Sequence, residues 1–167
     1  MMHGQRAHMQ LYSVTYLRAI PLGYGSLSNI RGRERRMPQF KIIPSREKIL
    51  VRIPDYAVDI EPIKHTVTIS YNDTVIAESD AALLIRETRH ADVVYLPRSA
   101  MVSDYFTPTD HSTYCPFKGN ANYWRLNIES VTEENIVWSY EKPYAEVARL
   151  KDYISFYPDR TEISVNA

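Results

Sequence analysis

Cysteine and glycine are scarce in this sequence: one cysteine and five glycines in 167 residues. A single thiol forms no internal disulfide and cannot build a Cys-rich zinc site. A reducing compartment is the simpler setting for it. No run of about 18 apolar residues occurs, so no helical membrane span is expected. Four of the glycines, Gly4, Gly23, Gly25 and Gly32, fall within the first 36 residues. Past them stand one glycine and one cysteine, Gly119 and Cys115, four residues apart. An excess of either charge is also missing, since 20 Lys and Arg balance 20 Asp and Glu. The balance hides an asymmetry. Residues 1–36 carry six arginines against Glu34 alone, and the remainder carries 14 basic against 19 acidic side chains. An acidic body is a poor surface for duplex nucleic acid, so neither a nucleic-acid nor a membrane partner is expected.

What is present fits one soluble domain with a real core: 44% hydrophobic and 24% charged residues. Thirteen tyrosines lean toward β structure. Residues 1–36 show no sustained hydrophobic period and end in Arg33-Glu34-Arg35-Arg36 before Met37-Pro38. Three origins fit them: a start placed ahead of a true one at Met37, an Arg-rich transit peptide, or a basic disordered tail. A secretory signal fits badly, because no clean apolar stretch follows the early charges. Gly23-Tyr24-Gly25-Ser26 is a fragment of a nucleotide-loop pattern without its strand and helix, and carries nothing. The expected organisation is a non-domain prefix at 1–36, an extended proline-punctuated arm at 37–62 and a single β domain at 63–167. The expected compartment is the cytoplasm, or the mitochondrion if the prefix is a transit segment.

Within the arm, 48–53 has the composition of one strand. From there the period-two pattern sharpens. Residues 66–71 alternate as a half-buried strand should. Asn72-Asp73 is a turn signal, and 74–77 returns as the second arm of a hairpin. Short strands are expected at 83–87 and 93–96, the latter ended by Pro97. Residues 105–122 read as a long loop, a feature that is uncommon in compact domains and often functional. Trp124, Leu126 and Ile128 share one face of a strand at 123–128, which pairs with 136–140 across 132–135. Pro143 then opens a helix whose stripe is Tyr144, Val147, Leu150 and Ile154. Strands at 155–157 and 162–165 flank a Pro158-Asp159-Arg160 turn. The expected fold is mainly β, a small barrel or folded antiparallel sheet with one short helix near the C-terminus.

These residues carry a resemblance. The stretches are Val75-Ile76-Ala77-Glu78-Ser79, Arg86-Glu87-Thr88 and Val94-Tyr95-Leu96-Pro97-Arg98. The longest runs unbroken from Thr109 through Tyr123 and includes Asp110-His111 and Tyr114-Cys115-Pro116-Phe117-Lys118-Gly119. Trp138-Ser139-Tyr140 with Pro143, and Ile154-Ser155-Phe156-Tyr157, complete the set. Together, residues 67–165 resemble the domain-of-unknown-function family numbered 427, sometimes grouped under a nucleotidyltransferase heading. The resemblance implies a compact, mostly β domain and brings no established reaction. Nucleotidyl transfer needs paired carboxylates holding metal ions at a triphosphate. The body has neither a Gly-Ser followed by Asp-x-Asp nor a Gly-rich phosphate loop.

The densest chemistry lies around Cys115. A free thiol with a pKa of about 8.5 is mostly protonated at neutral pH, and a nearby cation favours the thiolate. Lys118 and His111 are close enough in sequence to supply one. Asp110 could orient His111 in the order orienter, base, nucleophile. Glu87 ends a strand and is a candidate acid or base. Arg98 and Lys118 are candidate clamps for an anionic ligand, Gly119 allows close backbone approach, and Tyr95, Tyr123 and Tyr140 could line a pocket. Each has a plainer alternative. Cys115 could be a small packing residue, Asp110-His111 a hydrogen-bonded turn, and Arg98 one half of an ion pair with Glu87 or Asp104. Among His65, His90, His111 and Cys115 only His111 and Cys115 have a ligand spacing, one that suits a helical turn, and the segment does not read as helix, so no metal or cofactor is expected. Two functions stay open. One is a small-molecule site at 109–123 with thiol- or His-dependent chemistry. The other is a non-catalytic ligand-binding or protein-interaction module in which Cys115 packs. Whether the chain is an enzyme, and its oligomeric state, stay open with them.

Overall fold

A computed structural model describes residues 44–166. The expectations for 1–36, and for 37–43 of the arm, lie outside the described residues. The chain opens with a short helix, α1 (Arg46–Arg52), followed by strands β1 (Val58–Pro62), β2 (Thr66–Tyr71), β3 (Thr74–Ser79), β4 (Leu83–Glu87) and β5 (Val93–Pro97). Then come β6 (Phe106–Cys115), β7 (Gly119–Ile128), β8 (Val131–Ser139), a 3-10 turn at Ala145–Leu150, β9 (Tyr153–Phe156) and β10 (Glu162–Asn166). Seven strands form one sheet in the order β1-β4-β5-β9-β8-β7-β6, and β10-β2-β3 form a second. Every pairing is antiparallel.

The fold is mainly β, and the larger sheet does not close into a barrel, because β1 and β6 end it unpaired with each other. It is nonetheless strongly folded. Glu87 ends β4 and Lys118 lies in the β6–β7 turn, four strand steps away in the sheet order, yet the two form an ion pair. Four steps across a flat sheet would be about 19 Å. The sheet therefore curls, and its inner face becomes concave.

The middle of this sheet is buried on both faces, which explains why β5 and the end of β8 read as continuous apolar runs. On one face Leu96, Trp124, Leu126, Val137, Ile154 and Phe156 meet Val67, Ile69, Ile76 and Ala77 of the small sheet. On the concave face Leu83, Ile85, Tyr95, Ala121, Tyr123 and Tyr140 pack with Val147 and Leu150 of the 3-10 turn. The small sheet starts from a hairpin whose turn residues Asn72 and Asp73 have φ of 47° and 62°. Positive φ at both positions matches the twist of a two-residue hairpin.

Four local expectations are corrected. Residues 48–53 are not a strand: they fall within and just after α1. Ser45 precedes good helix formers with Glu47 in the first turn, and Pro54 follows the end. The helix expected near the C-terminus is a six-residue 3-10 turn, kinked at Val147. Only Val147 and Leu150 need burying, and a three-residue spacing suits that geometry. Ile154 of the expected stripe belongs to β9. Residues 105–122 are not a loop but chiefly a hairpin with a three-residue turn. Pro108 is tolerated there because β6 is an edge strand. The turn between β7 and β8 lies at 129–130 rather than 132–135. Asn135, with φ of 55°, instead sits in a register shift of β8.

Candidate functional site

The concave face gathers most of the residues singled out in the sequence. Strand alternation puts Leu83, Ile85 and Glu87 of β4 on it, opposite Tyr95 of β5. The β6–β7 hairpin brings Cys115 against Gly119 and Thr113 against Ala121. The turn between them is closed by a hydrogen bond from the Lys118 N–H to the Cys115 carbonyl (3.3 Å). Gly119, at φ of 101°, lets β7 leave this turn. The Tyr144 N–H donates to the Lys118 carbonyl (3.3 Å), tying the turn to the segment before the 3-10 turn.

Three side chains converge at this end of the sheet. Lys118 is buried and its Nζ donates to Glu87 Oε2. The same Nζ lies 3.9 Å from Cys115 Sγ. Glu87 is nearly as buried as Lys118, and its other oxygen, Oε1, accepts from the Tyr56 hydroxyl. The carboxylate is thus held from both sides. Tyr56 stacks on Phe117, with ring centroids 3.9 Å apart and planes 11° from parallel. Burial first, and then the hydrogen bond to Glu87, push the Tyr56 hydroxyl well above its ordinary pKa, so it stays a neutral donor. Tyr56 and Phe117 were not anticipated as site residues. Phe117 lay in the motif, but Tyr56 stood in a stretch read as an extended arm.

Tyr95, Tyr123 and Tyr140 form the wall beyond the thiol, in the apolar cluster against which Cys115 packs. The Tyr95 hydroxyl accepts from Trp138 Nε1 (3.0 Å), and Tyr123 shares a hydrogen bond with Thr113 (2.9 Å). Burial raises the pKa of Tyr95 and Tyr140 far above the ordinary phenol range. Tyr95 and Tyr140 are uncharged at physiological pH.

Other candidates stand apart. His111 faces the Tyr123 ring edge at 4.6 Å, and burial lowers its pKa. It precedes Cys115 by four residues on an extended strand, a rise of about 13 Å. Asp110 is exposed while its neighbour His111 is half-buried, as alternation along β6 requires. The order Asp110, His111, Cys115 is therefore not assembled into a relay. Arg98 pairs with Glu141 (2.7 Å) and lies over the Trp124 ring, 4.6 Å from its centroid. It pairs with neither Glu87 nor Asp104. Among the described residues no three His, Cys, Asp or Glu side chains converge as metal ligands would. Among them, too, no helix is long and apolar enough to cross a membrane.

The folded antiparallel sheet and its Cys-Pro-Phe-Lys-Gly turn define a small β domain. Residues 59–167 match the family described as Domain of unknown function (DUF427), and the chain belongs to that family. No curated protein matches the chain. Tyr56, which holds Glu87, lies ahead of the matched stretch.

Proposed function

We propose that the concave face is a small-molecule site in which Cys115 is the reactive group. The observation that carries this reading is the Lys118 ammonium, buried and 3.9 Å from Cys115 Sγ. Reactive cysteines sit in partly exposed surroundings with a cation at hand, and Cys115 is half-buried beside one. Glu87, gripped by Tyr56, holds Lys118 in place. The tyrosine wall offers an apolar surface with hydroxyl edges, as small-ligand sites do. Lys118 has a buried carboxylate partner and Arg98 lies over Trp124 on the opposite face of the sheet, so an uncharged electrophile suits this site better than the anion expected from the sequence.

A second reading rests on a different observation. Cys115 packs against the apolar cluster of Tyr95, Tyr123 and Tyr140, as a structural cysteine in a non-catalytic binding module would. Iodoacetamide separates the two. Under the first reading the folded protein is alkylated at Cys115 faster than free cysteine at neutral pH. The double substitution Glu87→Gln with Lys118→Met removes both charges together, leaving no unpaired ion, and should bring the rate down to that of free cysteine or lower. If labelling waits for unfolding, the thiol is structural and the first reading is wrong.

A further inference from the structure

A second feature lies next to this site and shares Tyr56 and Phe117 with it. A cleft of about 170 Å³ is lined by Leu50, Val58, Val147, Phe117 and Tyr56, with residues of α1 and the 3-10 turn among them. Cys115, Lys118 and Glu87 are not among its lining residues. Arg46 of α1 and Glu146 of the 3-10 turn also line it, and they are hydrogen-bonded to each other at 2.7 Å. Their side chains are 37% and 57% exposed. The Arg46 guanidinium also sits over the Phe117 ring, 5.7 Å from its centroid. The cleft thus has an apolar floor and one charge of each sign side by side.

We propose that this cleft binds a free α-amino acid with an aliphatic side chain, in its zwitterionic form. The hydrogen bond between Arg46 and Glu146 uses only Nη1 of the guanidinium and Oε1 of the carboxylate. A guanidinium has five donors in a planar fork and can take a ligand carboxylate on another edge. The second Glu146 oxygen can take an ammonium. An α-amino acid presents both groups from one carbon, at a spacing that matches two adjacent opposite charges. An exposed ion pair contributes little to stability, so rearranging it around a ligand is cheap. The apolar side chain would then lie on Leu50, Val58 and Val147. A simple anion would meet Glu146 with the wrong sign, and a simple cation would meet Arg46. A nucleotide is too large for the volume.

This assignment does not depend on the reactivity of Cys115, and its test has no thiol readout. The full chain is titrated calorimetrically with L-leucine, glycine, L-leucinamide and N-acetyl-L-leucine. Leucine should bind saturably with a Kd on the order of 1 mM, a reasonable strength for a ligand this small. Glycine lacks the side chain, the amide lacks the carboxylate and the acetyl derivative lacks the ammonium, so each should bind about tenfold more weakly. Arg46→Gln should abolish the preference for leucine over leucinamide, and Glu146→Gln the preference for leucine over its acetyl derivative. No saturable binding of leucine, or equal binding of all four compounds, would overturn the proposal. So would variants that leave both preferences intact.

Discussion

At the scale of single residues, the site turns on one backbone position and one buried ion pair. Gly119 has φ of 101°, and a Cβ there would come within 3.2 Å of the Lys142 carbonyl oxygen. Strain and contact both oppose any other residue. Gly119→Ala should destabilise the protein by about 1–3 kcal/mol, read as a lower urea midpoint with an unchanged slope. An unchanged midpoint would mean that the turn and residue 142 relax together. The Lys118–Glu87 pair behaves differently. Removing one partner leaves an uncompensated buried charge, at about 3–5 kcal/mol, whereas removing both is far milder. Lys118→Met alone should therefore be much less stable than the same change made with Glu87→Gln. A double-mutant cycle on the denaturation midpoints measures the difference. Cys115, Lys118 and Gly119 were legible as a cluster because they are adjacent in sequence. Their partner Glu87 is 31 positions from Lys118, and no local pattern couples them; only the curl of the sheet does.

At the scale of elements, strands were read where apolar residues alternate or run together, missed in β1 and β6, whose prolines suggested an arm and a loop, and misjoined where turn chemistry was put to another use. Asn72-Asp73 announced the β2–β3 hairpin because both residues adopt positive φ there. Residues 132–135 were read as a turn, yet Asn135 makes a register shift inside β8, where its Oδ1 accepts from the Thr109 hydroxyl (2.6 Å). Pro108 and Pro116 disguised β6 and its turn as a loop. Proline is excluded from central strands, but β6 is an edge. The 3-10 turn shows the opposite case, a correct apolar spacing attached to the wrong element. Its Val147 and Leu150 are 2% and 0% exposed and cap the core of the concave face. Leu150→Ala should cost about 2–5 kcal/mol. Because the turn hangs from the β6–β7 turn through Tyr144, the same change should also speed hydrogen exchange of the Tyr144 amide. Loss of stability without that change would mean that the two turns open independently.

At the scale of the whole molecule, the two sheets are joined by their shared core and by one polar tie. Glu133 of β8 accepts from the Tyr71 hydroxyl of β2 (3.0 Å) and from the Arg160 guanidinium. Arg160 lies between β9 and β10 and also donates to the Glu134 carbonyl (3.1 Å). A single carboxylate thus links the large sheet, the small sheet and the crossing between them. The Arg160 hydrogen bond first, and the Tyr71 hydroxyl second, hold the Glu133 pKa below its ordinary 4.5. The folded state then binds the proton less readily than the unfolded chain. The tie's contribution is complete above pH 4.5 and is lost as the pH falls through the lowered folded value. His111 acts in a higher window. Burial lowers its pKa from 6.5, so its contribution is present above that value and lost as acid charges it. Comparison of wild type, Glu133→Gln and His111→Asn by urea denaturation across pH separates the two. The deficit of Glu133→Gln should be steady down to pH 4.5 and shrink only below it. The gap between wild type and His111→Asn should instead change just below pH 6.5, where only the wild type takes up a proton on unfolding. A Glu133→Gln deficit that stays constant into strong acid would show that the negative charge itself is not what holds the two sheets together, and that the amide fails because its NH2 group faces donors.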